Sequence, residues 1–426
     1  LLNILNGGYK GKVFPINKRE TSILGIKCYP SLQDIDQDID LVVIIVPAAA
    51  VKEIIIEAGQ KNAKGAIIIS GGFKEIGNQK LEDDLYDTAQ KLGIRIIGPN
   101  CQGINYRANR LCATWPLIDC DGKIGIVSQS GTIGAAIAQQ AKDENIGISC
   151  FASLGNKSDI DEIDFIDFFS LDISTKAISV NIEGVKDRKR FTRILSSTAK
   201  KKPIIILKPG RTDAGAKAVS SHTKSIAGND MVFSVFCKKH GIIRSNDVTE
   251  FYDYSKISSL CNKPNGKDIA IITSSGGAGI IAVDTAVDCG LNVAPIEEEL
   301  DKELHASLPN QCVISNPLDL TGDANIERYE VALEKVLHYS KADIILVIFG
   351  DPIKNAYELI KNNLNNSKKT IVACYIGGGD IEKQEVKKMN SNGIPVFPTP
   401  ERAIKAIYSL FSLKIENVDE RRHEQI

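Results

Sequence analysis

Aromatic residues make up only 6% of this 426-residue sequence, which leaves few platforms for stacking nucleobases. A surplus of either charge is also missing. The 52 Lys and Arg nearly cancel the 53 Asp and Glu, whereas a nucleic-acid-binding domain usually carries a basic excess. Long apolar runs are absent: the longest, Leu41 to Val51, is broken by Pro47 and falls well short of the ~20 residues a spanning helix needs. Neither a nucleic acid nor a membrane is therefore expected as a partner. The opening residues, Leu-Leu-Asn-Ile-Leu-Asn, lack the basic region and cleavage site of a signal peptide. The ten cysteines form no Cys-x-x-Cys pair and no Cys/His cluster with zinc spacing, so no metal site is expected and free thiols in a reducing cytoplasm are. There is no G-x-S-x-G for a serine hydrolase, no G-x-x-x-x-G-K-[ST] for a P-loop kinase, and no G-x-G-x-x-G with an acidic partner for a nicotinamide dehydrogenase.

What is present is a regular alternation. Short β-branched runs at 12–17, 41–47, 65–70 and 94–99 read as buried strands, with amphipathic stretches at 51–62 and 79–92 between them. A second series of strands is expected at 123–128, 148–153, 177–182 and 203–208. A third follows the linker 262–267, at 268–273, 291–295, 342–349, 370–375 and 395–397. Continuous apolar strands separated by helices predict parallel sheets covered on both faces. The fold expected is α/β with three doubly wound domains: 1–118, 122–261 and 267–415, with a charged tail at 416–426. The second and third read as a repeat, since Lys123-Ile-Gly-Ile-Val-Ser-Gln-Ser-Gly131 lines up with Asp268-Ile-Ala-Ile-Ile-Thr-Ser-Ser-Gly276 at an offset of 145.

In such sheets ligands gather at the carboxyl ends of the strands. Ser128-Gln-Ser-Gly131 follows one strand and opens a helix, which suits an anion at a helix N-terminus and equally suits a capped strand-to-helix turn. Ser153-Leu-Gly-Asn-Lys-Ser-Asp159 follows the next strand and has the same two readings. Glu183 stands at the tip of a third strand, either as a site carboxylate or as a solvated loop charge. His222 is one of only five histidines. It lies in a stretch, Val-Ser-Ser-His-Thr-Lys-Ser-Ile-Ala-Gly-Asn-Asp, with few apolar residues to pack it. The run from Pro209 to about Asn229 reads as a long polar loop, and His222 as either a surface residue or the group that the loop presents. Together these residues assemble the parts of a phosphohistidine site. A neutral imidazole is a competent nucleophile, a carboxylate can hold its second nitrogen, and helix N-termini can hold a phosphoryl group.

At this point the chain resembles, over nearly its whole length, the alpha-type part of ADP-forming acetyl-CoA synthetases, NDP-forming acid–CoA ligases of the succinyl-CoA synthetase superfamily. The resemblance rests on Gly98-Pro-Asn-Cys-Gln-Gly103, Ser128-Gln-Ser-Gly131, Ser153-Leu-Gly-Asn-Lys157, Ile182-Glu-Gly184, Lys208-Pro-Gly-Arg-Thr212, Ser221-His-Thr223 and Asn316-Pro-Leu-Asp-Leu-Thr321. It implies a CoA-binding Rossmann-like domain followed by two flavodoxin-like domains. It also implies that His222 is the phosphorylated histidine and that Glu183 supports it. Ser128, Ser130 and Gly131 would hold the phosphoryl group, with Gly155 and Asn156 in a second active-site loop. Pro47, Ser70, Gly71 and Asn100 would hold coenzyme A. The implied reaction converts acyl-CoA, phosphate and ADP into acid, CoA and ATP. The implied partners are a small carboxylic acid, its acyl-CoA, and an ATP-grasp subunit or fused domain that carries the Mg-ADP or Mg-ATP.

The sequence departs from that pattern in three places. It starts after the family's first strand and Gly-rich turn, with what reads as the end of the first helix, Leu1 to Asn6. Lys224 stands where a glycine usually follows the His-Thr pair. No counterpart of the nucleotide-grasping domain is expected in this stretch. A second function class stays open on these residues alone: a CoA- or acyl-CoA-sensing protein that kept the fold and lost turnover.

Overall fold

The computed structural model describes residues 1–116, 118, 121–223, 229–364 and 367–415. They form mixed α/β structure built on three main sheets. By contacts the described residues divide into two compact units, one within 1–143, 147–248 and 414–415, the other within 144–146 and 249–413. Among the described residues no helix is long and apolar enough to cross a membrane.

The first sheet has three parallel strands, Leu41–Ile44, Gly65–Ile68 and Arg95–Ile97, in chain order. Helices Ala48–Gln60 and Gln79–Leu92 connect them, and Val51, Ile55, Leu85 and Ala89 are buried against Ile44, Ile68 and Ile96 in one core. The chain opens with helix Leu2–Asn6, as its sequence predicts. The strand expected at 12–17 does not form; only Ile16 makes a bridge, to Tyr29. Pro15 brings no N–H to a ladder, and Ile16 stays 40% exposed.

The second sheet holds five parallel strands in the spatial order Ile243–Ser245, Ile204–Leu207, Ala177–Asn181, Asp121–Ser128, Ile148–Ser153. Numbered along the chain this is 5-4-3-1-2, the flavodoxin-like winding. Four of the five strands are buried residue by residue over most of their length, as a parallel sheet covered on both faces requires. An antiparallel hairpin, Gly103–Tyr106 and Leu111–Thr114, completes the sheet next to Ile148–Ser153. Sequence reading assigns that hairpin to the first domain; in the structure it pairs into the second sheet.

The third sheet repeats the winding, in the order Leu318–Asp319, Ile269–Thr273, Ile344–Phe349, Thr370–Tyr375, Val396–Phe397. Its second strand is not at 291–295, where it is expected. Asn292 makes only a bridge to Asp268, and Leu318–Asp319 takes the strand position. The reason is Asn316. Its side-chain amide donates to the Ile269 carbonyl at 2.8 Å and the Ala294 carbonyl at 3.0 Å and accepts from the Ile271 N–H at 3.1 Å. It acts as a peptide group inserted between the two segments, so the 291–295 backbone is held without a ladder.

A further correction concerns Pro209 to Asn229. Instead of a polar loop, Asp213–Thr223 is an α-helix. The Thr212 hydroxyl accepts from the Gly215 N–H at 3.1 Å, an N-terminal cap. Ala214, Ala216 and Ala218 are strong helix formers. Buried Val219 packs back toward Gly210, where an added Cβ would lie 3.0 Å from its methyl.

Candidate active site at the carboxyl edge of the second sheet

Strand order reverses between Asp121–Ser128 and Ala177–Asn181, and that reversal opens the crevice in which ligands of this winding sit. Register brings three polar tips level: Ser128 is paired with Ser153 on one side and Asn181 on the other, and Asn181 with Leu207 beyond it. The four expected site elements therefore leave the sheet side by side.

The Ser128-Gln-Ser-Gly131 turn leads into helix Gly131–Asp143. The Ser128 hydroxyl is fully buried, 2.5 Å from the Ser130 carbonyl and 3.1 Å from Asn181 Oδ1. It braces the turn from beneath, so its own oxygen is committed to the protein. Ser130 Oγ accepts from the Ile133 N–H at 3.5 Å, a loose cap. Gly131 is dictated by a neighbour, since a Cβ there would stand 2.7 Å from the Gln102 side chain.

Next to this turn, Glu183 is buried, and its backbone N–H donates to Gln129 Oε1 at 3.0 Å. Gln129 in turn donates its N–H to the Asn181 carbonyl at 2.9 Å. The two tips on either side of the crevice are thus laced together by one glutamine.

The second loop, with Gly155 and Asn156, runs along the first sheet. Asn156 N–H donates to the Pro99 carbonyl at 2.9 Å, Ser158 N–H to Gly98 at 3.0 Å and Ile160 N–H to Ile96 at 3.1 Å. Gly155 has φ 55° and a Cβ there would lie 2.3 Å from two carbonyl oxygens, so only glycine fits. The Asn156 amide donates to Glu75 Oε2 and Glu82 Oε2, each at 2.7 Å. Burial works to raise the Glu75 pKa, but the Asn156 amide and the Gly72 and Phe73 N–H groups outweigh it and hold that carboxyl below its ordinary value. Asn156 therefore ties together protein segments, and its amide N–H groups are committed to carboxylates.

At the first sheet, Pro47, Ser70, Gly71 and Asn100 follow the three strand tips. Pro47 caps helix Ala48–Gln60 and is exposed. Asn100 has φ 58°, donates its N–H to the Ser70 carbonyl at 2.9 Å, and its side chain lies 3.2 Å from where a Gly71 Cβ would be. The Ser70 hydroxyl is buried without a hydrogen-bond partner among the described residues. These four residues share one end of that sheet.

His222 falls in the last turn of helix Asp213–Thr223. Its side chain, and Lys224 with it, lie outside the described residues.

With this geometry in place, the relatives can be compared. Residues 1–107 match the family described as CoA binding domain, residues 121–258 the succinyl-CoA ligase like flavodoxin domain, and residues 269–402 the Ligase-CoA domain. The acetate–CoA ligase [ADP-forming] I subunit alpha of Pyrococcus furiosus is 40% identical over 422 residues, covering 96% of this chain and 91% of that one. The chain belongs to the ADP-forming acid–CoA ligase family. A solved structure of the dinucleotide-forming acetyl-coenzyme A synthetase 1 of Ca. Korarchaeum cryptofilum, in complex with phosphate and ADP, superimposes with a TM-score of 0.88 at 34% identity, over 96% of this chain and 90% of that one. The acetate–CoA ligase [ADP-forming] of Methanocaldococcus jannaschii is 39% identical over 98% of this chain, but the chain spans only 60% of that relative's length.

In this ligase chain three further residues stand at the same edge; each falls within a stretch that carries the resemblance, but sequence reading gives none of them a role. Gln129 is the lace just described. Lys157 is buried, with Nζ donating to Glu162 Oε2 at 2.8 Å and to the Gly184 carbonyl at 2.6 Å. Lys208 follows strand Ile204–Leu207 with its ammonium buried and without a hydrogen-bond partner among the described residues, 5.7 Å from the Phe233 ring centre, and burial pulls its pKa below the usual lysine range. A charged side chain directly after a buried strand is a sequence signal that could have marked Lys208; the backbone partners Glu183 of Gln129 and Gly184 of Lys157 are 54 and 27 residues away and leave no local trace.

Proposed function

We propose that this chain is the alpha-type half of an acid–CoA ligase that works through a phosphohistidine at His222. The observation that carries the reading is the crevice at the strand reversal, where a Gly-started helix N-terminus and buried Glu183 are laced through Gln129. Phosphate attacks the thioester carbonyl of an acyl-CoA, the C–S bond breaks, and CoA leaves as thiolate to take up a proton. The acyl phosphate then gives its phosphoryl group to a ring nitrogen of His222, releasing the carboxylate. The phosphohistidine passes that group to the terminal phosphate oxygen of ADP, forming ATP and restoring the imidazole. Ser130 and Gly131 at the start of helix Gly131–Asp143 offer N–H groups and a favourable dipole to the phosphoryl oxygens. Glu183 holds the imidazole and offsets its positive charge. Ser128, Gly155 and Asn156 shape the crevice from below.

Coenzyme A is placed at the first sheet, at Pro47, Ser70, Gly71 and Asn100. The unpartnered Ser70 hydroxyl supports this, because a buried polar group without a bond is costly unless a ligand completes it. The nucleotide, with Mg2+, is placed on an ATP-grasp subunit or fused segment, and the 60% coverage of the M. jannaschii relative supports that division. The nine described cysteines are all free, which fits work in the cytoplasm. Incubating the chain with its ATP-grasp partner and labelled ATP is expected to give acid-labile, base-stable label that is absent from His222→Asn. Label persisting on that variant would overturn the assignment.

A further inference from the structure

We infer that Lys157 is a positioning residue for Glu183, acting through the Gly184 carbonyl. The inference rests on the reading of Glu183 given above and deepens it. Lys157 does not reach inward by default: it has φ 46°, a left-handed backbone that is unfavourable for a non-glycine residue. That turn sends its side chain into the protein, where only 3% of the residue remains exposed, beside Glu162 at 1%. The Lys186 ammonium clamps the loop from outside, donating to the Lys157 carbonyl at 2.5 Å.

A buried ion pair is weak evidence for stability, because apolar side chains of the same volume often serve as well or better. What the pair adds is a charged donor aimed at one backbone group. Nζ lies 2.6 Å from the carbonyl of Gly184, the residue that follows Glu183. On the other side of Glu183, Gln129 holds its N–H. The backbone is therefore held on both sides of Glu183, at its own N–H by a glutamine from the phosphoryl-holding turn and at the Gly184–Val185 peptide, one link further on, by a lysine from the second loop. Charge-assisted bonds of this kind are shorter and stronger than neutral ones. A site residue held to within a fraction of an ångström by such neighbours loses rate when they are removed, even with its own side chain intact.

The test is a double-mutant cycle. Lys157→Met alone leaves Glu162 buried without its charge partner, a strongly destabilising change; the paired K157M/E162M removes both charges and keeps the volume filled. With the ATP-grasp partner present, the rate of His222 labelling from acyl-CoA and phosphate is expected to fall ~10–100-fold in K157M/E162M, the scale seen when outer partners of a functional group are lost. KM for acyl-CoA should stay unchanged. In a Glu183→Gln background, itself slow, the same pair of changes should lower the rate by less than ~3-fold. An equal fold-loss in both backgrounds, or no loss in the first, overturns the inference. Glu183→Gln labelling at the wild-type rate would instead sink the underlying reading of Glu183.

Discussion

The second and third sheets wind alike, and their turns are built alike at the level of single atoms. Ser128 Oγ bonds the Ser130 carbonyl; 145 residues later Thr273 Oγ1 bonds the Ser275 carbonyl at 3.0 Å. Gln129 Oε1 accepts from the Glu183 N–H, and its counterpart Ser274 Oγ accepts from the Gly350 N–H at 3.1 Å. The helices that follow begin at Gly131 and Gly276. What differs is the chemistry carried on that frame. The second sheet places Glu183, Lys157 and Lys208 at its tips, all buried; by strand register the third has Gly350 in the place of Glu183 and Tyr375 in that of Lys208. Strand winding and turn bracing thus belong to the fold, while buried charge marks the sheet for which the phosphoryl chemistry is proposed.

The brace itself can be broken unequally. A Cβ at Gly134 would fall 2.5 Å from the Phe151 ring and 2.7 Å from Ser128 Cβ, whereas one at Gly279 would meet Thr273 Cγ2 at 3.0 Å and Pro317 at 3.1 Å. Overpacking costs ~1–3 kcal/mol. We expect Gly134→Ala near the upper end and Gly279→Ala near the lower, read from urea unfolding; equal losses would mean that the turns tolerate crowding alike.

Removing Asn156 should be the next largest effect. Asn156→Ala strips the amide from Glu75 and buried Glu82 and should destabilise the chain by ~2 kcal/mol, the cost of orphaning buried acceptors. An unchanged unfolding midpoint would show that those carboxylates find other donors.

The smallest effect is one of pH. The folded state holds the Glu75 carboxyl below its ordinary value, so its contribution is present above that value, ~4.3, and is lost as pH falls through the folded pKa. Glu75→Gln should flatten the acid limb of the stability curve below about pH 4.3 and leave the neutral region nearly level. An acid limb of unchanged steepness would remove Glu75 from that linkage.

The parts of this chain that were legible in its sequence are those whose causes are local. Ile204–Leu207 is four apolar residues in a row, and only a covered strand accommodates that. The 145-residue repeat is visible because each unit begins with the same strand-and-turn. Leu318–Asp319 was not legible, since two residues carry no period. Helix Asp213–Thr223 was hidden by its Ala, Gly and Ser content, which suits a loop as well as a helix until the Thr212 cap and the Val219 contact decide. The site residues divide the same way. The position of Glu183 at a strand tip follows from the pattern; the partners of Lys157 and Asn156 depend on segments brought together only by folding. His222 is marked by rarity and polar surroundings, and its side chain lies outside what the structure describes.

The hairpin Gly103–Thr114 sets where this protein can be cut. Ile148–Ser153, buried along its whole length, has Gly103–Tyr106 as its outer neighbour. A piece expressed from residue 121 would begin at a plausible sequence boundary, yet it would carry that strand as a bare apolar edge, a template for pairing with other chains. A soluble fragment of the histidine-bearing domain has to start before Gly103, and anyone trimming the chain for crystals or fusions inherits part of the CoA-side domain with it.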